Sequence, residues 1–449
     1  MTVPKEISDR ILIECLNHPR AYRELQWLCD HVGGRTSGAE SGNKAEEWGF
    51  RYFTKCGLED IRFEELPVTV WERGSLEAIV LGDASWKLTA MAHGNAPSCV
   101  DLSSDVFDVG HGEKEDFLRL TKEIKGKVAL CDEGVREGHR ALHRTEKLKF
   151  AIEAGASGLM IYSSASGGLP RTGVCYYGEA PIPSMGISQE DGLRLIRLLK
   201  SGTPVKVTIS MRNKNAHGVA RNVIADIKGS INPNEIVMAG GHLDSWDVSQ
   251  GATDNGLGSA IVMEMAHALA SCGQRPKRTL RFVLWAAEEV GLCGSHAYVK
   301  AHQDSLDNMH GLLNFDMTGD PFGFWMPGRR DKHPVLESLS QQLSGIGMRS
   351  DYDHKAGLHS DHQPFMLAGV PVIGLMAKIE GEGAHYYHSV GDTFEKVSES
   401  ALGRAATVGA HTMWAIANSK DRLFPRFSAD QVEKMIDDDD LREALEAEQ

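Results

Sequence analysis

The sequence lacks the features that mark several special classes of protein. No stretch approaches the roughly 18 uninterrupted apolar residues of a membrane-spanning helix. The N-terminus is charged throughout and has no apolar segment of the kind found in a signal peptide. The net charge of −14 argues against general binding to nucleic acids or to anionic membranes. We therefore expect a cytoplasmic protein with neither nucleic acid nor membrane as a partner.

Cysteine is present, but its spacing excludes the common cysteine motifs. None of the eight cysteines forms a Cys-x-x-Cys pair, so a cysteine zinc site or a dithiol redox motif has little support. We expect free thiols in a reducing compartment. With 449 residues, of which 41% are hydrophobic and 24% charged, the chain is long enough to bury a large core without disulfides or a structural metal.

The order of patterns along the chain predicts three parts. Residues 1–70 hold two helical stretches separated by a glycine-rich loop, followed by a strand. Residues 71–215 are dominated by short β-like runs and predict a β-rich module. In residues 216–449, strands alternate with helices, which predicts an α/β fold with a mixed, mostly parallel sheet and helices on both faces. The strands predicted in this last part are Asn222–Ile227, Ile236–Ala239, Thr279–Ala286, Leu312–Asp316 and Val370–Met376, and its helices are Leu257–Cys272 and Val397–Asn418.

Histidine and acidic side chains follow the ends of four of these strands. Ligand sites of open α/β sheets lie outside the carboxyl ends of the strands. Carboxylates gathered there without a neighbouring Lys or Arg would repel each other and raise their pKa values, and divalent cations remove that penalty. The residues at the strand ends are His242, Asp244, Glu288, Glu289, Asp316 and, after a glycine-rich loop, His388.

The mixture of side chains indicates the kind of metal centre. Imidazole and carboxylate without thiolate suit zinc, and also cobalt or manganese. Two histidines and three carboxylates are too many for one tetrahedral zinc with an open position, so we expect two ions that share a ligand. Asp254, in a tight loop before the helix at residue 257, is the expected shared ligand, and its alternative interpretation is a helix N-cap. The candidates for these ligand positions are the strand-end residues together with Asp254.

Five short motifs resemble those of the co-catalytic zinc aminopeptidases, a family that also includes glutamate carboxypeptidase and carboxypeptidase Q. The resemblance extends over nearly the whole chain. The segments GGRTSGAESGN and LPVTVWERGS are most similar to the carboxypeptidase Q branch, while KGKVALCDEG and KFAIEAGASGLMIY make residues 71–215 similar to an inserted protease-associated domain. In chain order the five motifs are GGHLDSW (240–246), GATDNG (251–256), AAEEVGLCGS (286–295), NFDMTG (314–319) and YYHSVGDT (386–393).

The resemblance implies how the two ions are shared among the ligands. His242 and Asp316 would complete the first zinc site, and Glu289 and His388 would complete the second. Asp254 would bridge both ions.

The resemblance also implies roles for residues beside the ligands. Glu288 would be the general base that acts on metal-activated water. Asp244 would accept the second N–H of His242 and fix its tautomer. Tyr387 would donate a hydrogen bond to the oxyanion. The peptide bond that follows Asp254 is often cis in this family.

Three further residues have two interpretations each. Asp361 and His362, in a loop that lies beside the active site in the family, either shape the pocket or stabilise the loop. Asp392 is interpreted as the cap of the final helix rather than as a catalytic group.

The predicted function is zinc-dependent hydrolysis of the terminal peptide bond of short peptides or dipeptides. Aminopeptidase or dipeptidase activity is favoured, although no single residue reveals which terminus is recognised. Dimers are common among the relatives, so a homodimer is expected. Two alternatives come from the same scaffold: a single-zinc acyltransferase like glutaminyl cyclase, and a metal-free binding module like the transferrin receptor ectodomain. Two, one or zero metal ions per chain would distinguish the three.

Overall fold

The computed structural model describes residues 3–17, 19–82, 85–379 and 383–448. The chain forms two compact units, which are described separately. The domain boundaries predicted at 70/71 and 215/216 stay predictions. The first unit comprises Met1–Val68, Gly218–Ala384 and Asp392–Leu441, and the second comprises Thr69–His217, His385–Gly391 and Arg442–Gln449.

The described residues form sixteen strands and fourteen α-helices. The strands are β1 (Glu59–Glu72), β2 (Leu76–Leu81), β3 (Trp86–Lys87), β4 (Ala90–Ala92), β5 (Cys99–Asp108), β6 (Val128–Asp132), β7 (Gly158–Tyr162), β8 (Ser184–Ile187), β9 (Lys206–Met211), β10 (Lys214–Ile227), β11 (Asn232–His242), β12 (Arg278–Trp285), β13 (Met309–Asn314), β14 (Asp320–Trp325), β15 (Asp351–Asp353) and β16 (Val372–Lys378). The helices are α1 (Lys5–Leu16), α2 (Arg20–His31), α3 (Glu40–Lys55), α4 (Lys114–Arg119), α5 (Thr121–Ile124), α6 (Arg144–Glu153), α7 (Gln189–Lys200), α8 (Leu257–Ser271), α9 (Cys293–Ala301), α10 (Pro334–Gln342), α11 (His362–Leu367), α12 (Glu399–Asn418), α13 (Ala429–Asp438) and α14 (Arg442–Ala447).

The sheet of the first unit has its parallel strands at the centre. Its strand order is β1-β10-β12-β11-β13-β16-β14-β15. The four strands β12, β11, β13 and β16 run parallel, whereas β10 and β14 pair antiparallel to their inner neighbours. The predicted mixed, mostly parallel sheet is therefore confirmed, and the carboxyl ends of three neighbouring central strands lie at one edge.

Two buried helices cover the centre of this sheet. Helices α8 and α12 pack side by side and both contact β11. Every residue of α8 from Leu257 to Leu269 is buried, which explains why its sequence is apolar almost all round instead of along one stripe. Elsewhere on the sheet, α9 and α11 contact each other, and α11 contacts β13 and β16.

The second unit is built on its own mixed sheet. The strand order is β3-β2-β9-β5-β6-β7-β8-β4, in which β5, β6, β7 and β8 run parallel. The segment KFAIEAGASGLMIY turns from helix to strand, because α6 ends at Glu153 and β7 begins at Gly158. Gly155 lies between them with a φ of 76°, a left-handed conformation that ends a helix at low cost for glycine.

No helix within the described ranges is long and apolar enough to span a membrane. The location of the protein in the cell stays a prediction.

One acidic side chain lies within the apolar helix α8. Glu264 is 0% exposed, and its Oε2 accepts a hydrogen bond from the backbone N–H of Ala21, in the first turn of α2, at 2.8 Å. Burial raises the pKa of Glu264 to about 7, although the Ala21 hydrogen bond lowers it. A carboxylate at a helix N-terminus is favourable, but in this buried position desolvation dominates.

The raised pKa predicts that Glu264 makes stability depend on pH. The folded protein binds this proton more tightly than the unfolded chain, so the stabilisation is present below about pH 4.5 and is lost as the pH rises through 7. Between pH 5 and pH 8, the free energy of unfolding of the native protein should fall by on the order of 2–3 kcal/mol relative to Glu264→Gln. Denaturant unfolding at a series of pH values measures this difference. The exposed Glu6, changed to Gln, is the control, and an equal pH dependence in both variants would contradict the prediction.

Candidate metal centre

Three neighbouring parallel strands lead into five of the predicted site residues of the first unit, all except Asp254. Strand β11 ends at His242, β12 ends shortly before Glu288 and Glu289, and β13 ends shortly before Asp316. The register aligns these ends, since His242 pairs with Trp285 of β12, and Gly240 pairs with Asn314 of β13. Parallel pairing therefore gathers side chains that are far apart in the sequence.

The imidazole of His242 is surrounded by carboxylates. Its Nε2 lies 3.3 Å from Asp254 Oδ1, 3.5 Å from Asp316 Oδ1 and 3.9 Å from Glu288 Oε2. His242, Asp254 and Asp316 each offer one ligand atom, and these three atoms lie within 4.8 Å of one another. A ligand atom of Glu289 likewise lies within 4.8 Å of one of Asp254. The first unit thus brings together six of the eight predicted site residues, Asp244 included.

Burial makes this group electrostatically unfavourable without a cation. The His242 side chain is 1% exposed and that of Glu288 is 11% exposed. Burial lowers the pKa of His242, but the nearby carboxylates of Glu288 and Asp316 outweigh it and raise that pKa well above its usual range. Burial, together with the charges of Asp316 and Glu289, likewise raises the pKa of Glu288, against the opposing effect of His242.

Asp244 anchors the turn that carries the two adjacent glutamates. Its Oδ1 accepts the backbone N–H of Glu288 at 3.1 Å, and its Oδ2 accepts that of Glu289 at 3.2 Å. The Nδ1 of His242 lies 3.1 Å from the main-chain oxygen of Asp244 and 3.7 Å from its carboxylate. The main-chain oxygen is therefore the nearer acceptor, and the tautomer-fixing role of the carboxylate stays a prediction.

The loop that carries Asp254 is a single irregular turn. Residues Ala252–Gly256 form it, and the peptide bond between Asp254 and Asn255 is cis, as the family resemblance implies. The Asn255 side chain holds this turn to the strand edge, because its Nδ2 donates to Phe315 O at 2.9 Å and its Oδ1 accepts the N–H of Met317 at 3.1 Å.

The interpretation of Asp392 as a helix cap is wrong. Helix α12 begins at Glu399, and Ser398 caps it by accepting the N–H of Ala401. Asp392 instead accepts the backbone N–H of Thr253 at 2.7 Å and that of Asp254 at 3.0 Å. It therefore fixes the turn that presents the predicted shared ligand.

The loop before α11 places one more carboxylate in this environment. Asp361 is 0% exposed, and burial raises its pKa to about 7, a rise that His242 opposes and Asp244 and Asp316 reinforce. His362 stabilises its own loop, since its Nε2 lies 3.0 Å from Gly357 O. Sequence reasoning left both residues open.

Arg35 is a residue that sequence reasoning missed. It is 0% exposed, and the carboxylates of Asp392, Asp244 and Asp254 lie close enough to raise its pKa against the stronger lowering by burial. The only signal in the sequence was an arginine inside the glycine-rich loop GGRTSG.

The remaining two predicted site residues belong to the second unit. Tyr387 stacks on His388, with ring centroids 3.7 Å apart. The Nδ1 of His388 lies 3.3 Å from Thr172 O and 3.1 Å from Arg144 Nη2. Thr172 O can only accept and Arg144 can only donate, so the two contacts of Nδ1 favour opposite tautomers of His388.

The donors of the first unit fit a divalent metal ion. They are one imidazole and several buried carboxylates, a set that zinc, cobalt and manganese accept. A cation at this position would also relieve the repulsion from Asp316 and Glu289, which adds to the effect of burial on the pKa of Glu288.

Comparison with known proteins identifies the family. Residues 222–413 match peptidase family M28, and residues 87–195 match the PA domain. Carboxypeptidase Q of Homo sapiens is 30% identical to this chain, over 90% of the chain and 86% of the relative. The chain belongs to peptidase family M28.

Solved structures agree with this M28 assignment. A peptidase M28 precursor from Shewanella amazonensis is 27% identical with a TM-score of 0.82, covering 94% of this chain and 98% of that one. A zinc aminopeptidase from Bacillus subtilis is 25% identical with a TM-score of 0.69, covering 92% and 98%. The predicted family, the fold with its inserted protease-associated domain and the enzyme class, a metallopeptidase, are confirmed.

The contacts of Asp244 predict its contribution to the stability of this M28 peptidase. Asp244→Ala leaves the backbone N–H groups of Glu288 and Glu289 without their acceptor. Asp244→Asn is the matched control, because it removes the same charge but keeps one acceptor oxygen. In metal-free protein, the alanine variant should be less stable than the asparagine variant by on the order of 1–3 kcal/mol in denaturant unfolding. Because the NH2 group of asparagine faces the second N–H donor, the difference reports the one hydrogen bond that asparagine keeps, and equal stabilities would contradict the prediction.

Proposed function

We propose that the protein is a zinc-dependent exopeptidase that hydrolyses the terminal peptide bond of short peptides or dipeptides. The observation that carries the proposal is the position of His242 Nε2 between three carboxylates, 3.3 to 3.9 Å away, at the ends of neighbouring parallel strands. Membership of a peptidase family supports a peptide as the substrate.

Five residues would hold two zinc ions. His242 and Asp316 would belong to one ion, Glu289 and His388 to the other, and Asp254 to both. Within the first unit, the proximity of Asp254 to His242, Asp316 and Glu289 supports a shared position for that carboxylate. The assignment of His388 rests on its sequence motif, YYHSVGDT.

Bound zinc would supply Lewis-acid chemistry, which lowers the pKa of water and polarises a carbonyl group. Glu288 would accept the proton of the attacking water and pass it to the departing amine. Asp244 holds the backbone of Glu288 and would keep its carboxylate aimed at the reacting atoms. The phenol of Tyr387 would donate a hydrogen bond to the oxyanion.

We further propose that the free amino terminus of the substrate is recognised. The strand ends of the first unit are rich in carboxylates, which favour a substrate group of positive charge. The Bacillus subtilis neighbour is a zinc aminopeptidase, whereas the Homo sapiens relative is a carboxypeptidase by name, so the polarity needs a direct test. The homodimer expected from the sequence stays a prediction.

The first prediction of this function concerns metal content and Glu288. The native protein and Glu288→Gln should both bind about two zinc ions per chain, whereas turnover of unblocked dipeptides should fall at least about 10²–10⁴-fold in the variant, because it loses its proton acceptor. Elemental analysis and a dipeptidase assay measure the two quantities.

A control variant separates this effect from the loss of a buried carboxylate in general. Glu264→Gln makes the same chemical change in a buried position of α8 and should keep the native turnover. One zinc ion per chain would favour the acyltransferase alternative, and none would favour the receptor-like binding module. Native turnover in Glu288→Gln would remove Glu288 from the mechanism.

The second prediction tests the terminus that is recognised. N-acetylation of a cleaved dipeptide should abolish hydrolysis, because it removes the positive charge of the α-amino group. C-terminal amidation of the same dipeptide should leave most of the activity. The opposite pattern would assign the enzyme to carboxypeptidases while leaving the metal site intact.

A further inference from the structure

The buried side chain of Arg35 binds both ends of one loop. Its Nε donates to Leu243 O at 2.6 Å. Its Nη1 donates to Gln250 O at 2.6 Å and to Gly33 O at 3.0 Å, and its Nη2 donates to Gly251 O at 2.8 Å. The guanidinium therefore fixes the segment 243–251 at its first residue and at its last two.

The backbone of Arg35 adds a second attachment to the same segment. Its N–H donates to Ser245 Oγ at 3.1 Å, and its carbonyl accepts the N–H of Ser245 at 3.1 Å. The packing is close, since a Cβ at Gly251, where φ is 56°, would lie 2.3 Å from Ser245 Oγ and 3.0 Å from Arg35 Nη2. The path of the loop is thus fitted to this one side chain.

This segment connects two of the proposed metal ligands. It begins directly after His242 and ends three residues before Asp254, and these two side chains approach to 3.3 Å. The oxygen of Gly251 that Arg35 binds also accepts the N–H of Gly256, which closes the turn around Asp254. A shift of the segment would therefore change the distance between the two ligands.

The positive charge of Arg35 also favours this arrangement of the segment and its carboxylates. Burial lowers its pKa, and the charges of Asp392, Asp244 and Asp254 oppose that effect, so a buried positive charge lies close to these three carboxylates. Arginine suits this task because its planar group makes several hydrogen bonds in fixed directions and stays protonated, whereas the ammonium group of lysine is a single point charge.

We propose that Arg35 is a positioning residue that assembles the metal centre before metal binds. By fixing residues 243–251, it keeps His242 and Asp254 at the separation that a shared cation requires. The inference rests on the proposed function, in which both residues are ligands.

The test compares two buried arginines that make the same kind of contact. Arg278 is 4% exposed, and its Nη1 donates to the backbone oxygens of Ala417 and Ser419, at the end of α12. Arg35→Met and Arg278→Met should both lower the unfolding midpoint of metal-free protein. Only Arg35→Met should weaken zinc binding, by about 10–100-fold in competition with a chromogenic chelator. Arg278→Met should keep the native zinc affinity.

A third variant covers the case in which Arg35→Met does not fold. Arg35→Lys keeps the positive charge but loses the planar fork, and it should also bind zinc more weakly than the native protein. Native zinc affinity in a folded Arg35 variant, or equal losses in the Arg35 and Arg278 variants, would overturn the inference. If the native protein itself binds no zinc, the proposed function fails first, and the two failures are thereby distinguished.

Discussion

Repulsion between buried carboxylates is the physical constraint that organises the first unit. Oxygens of Asp254, Glu288 and Asp316 lie 3.3 to 3.9 Å from one imidazole nitrogen of His242. Burial and like charge both raise the pKa of Glu288, so the arrangement is unfavourable unless the surrounding structure holds it. A bound divalent cation would offset this repulsion.

The surrounding structure holds the site through backbone groups. Two of the nearby carboxylates serve this purpose. Asp244 and Asp392 each accept two backbone N–H groups, so their charges are stabilised by amide dipoles and their role is to shape the turns. Arg35 instead donates hydrogen bonds to backbone carbonyl groups. Loop backbone that is buried needs partners for its polar groups, and these three side chains supply them while they also set the positions of His242 and Asp254.

The strand ends were predictable from the sequence because their signals are local. A hydrophobic run that leads into His242, Glu289 or Asp316 indicates both the strand and the polar residue at its end. The partners of Arg35 and Asp392 are not local: Arg35 contacts Ser245, 210 positions away, and Asp392 contacts Asp254, 138 positions away. Asp392 precedes a helix and so resembled a cap, whereas the helix begins later and uses Ser398.

A perturbed pKa does not by itself identify the site. Burial raises the pKa of both Glu264 and Asp361 to about 7. The charges around Glu264 are those of Arg20 and Glu14, and its hydrogen bond goes to the start of a helix, so its position serves the packing of α8 and α2. The charges around Asp361 are those of His242, Asp244 and Asp316. A functional carboxylate is therefore distinguished from a structural one by the histidine and carboxylate side chains that converge around it from several strands. This convergence occurs where β11, β12 and β13 end together.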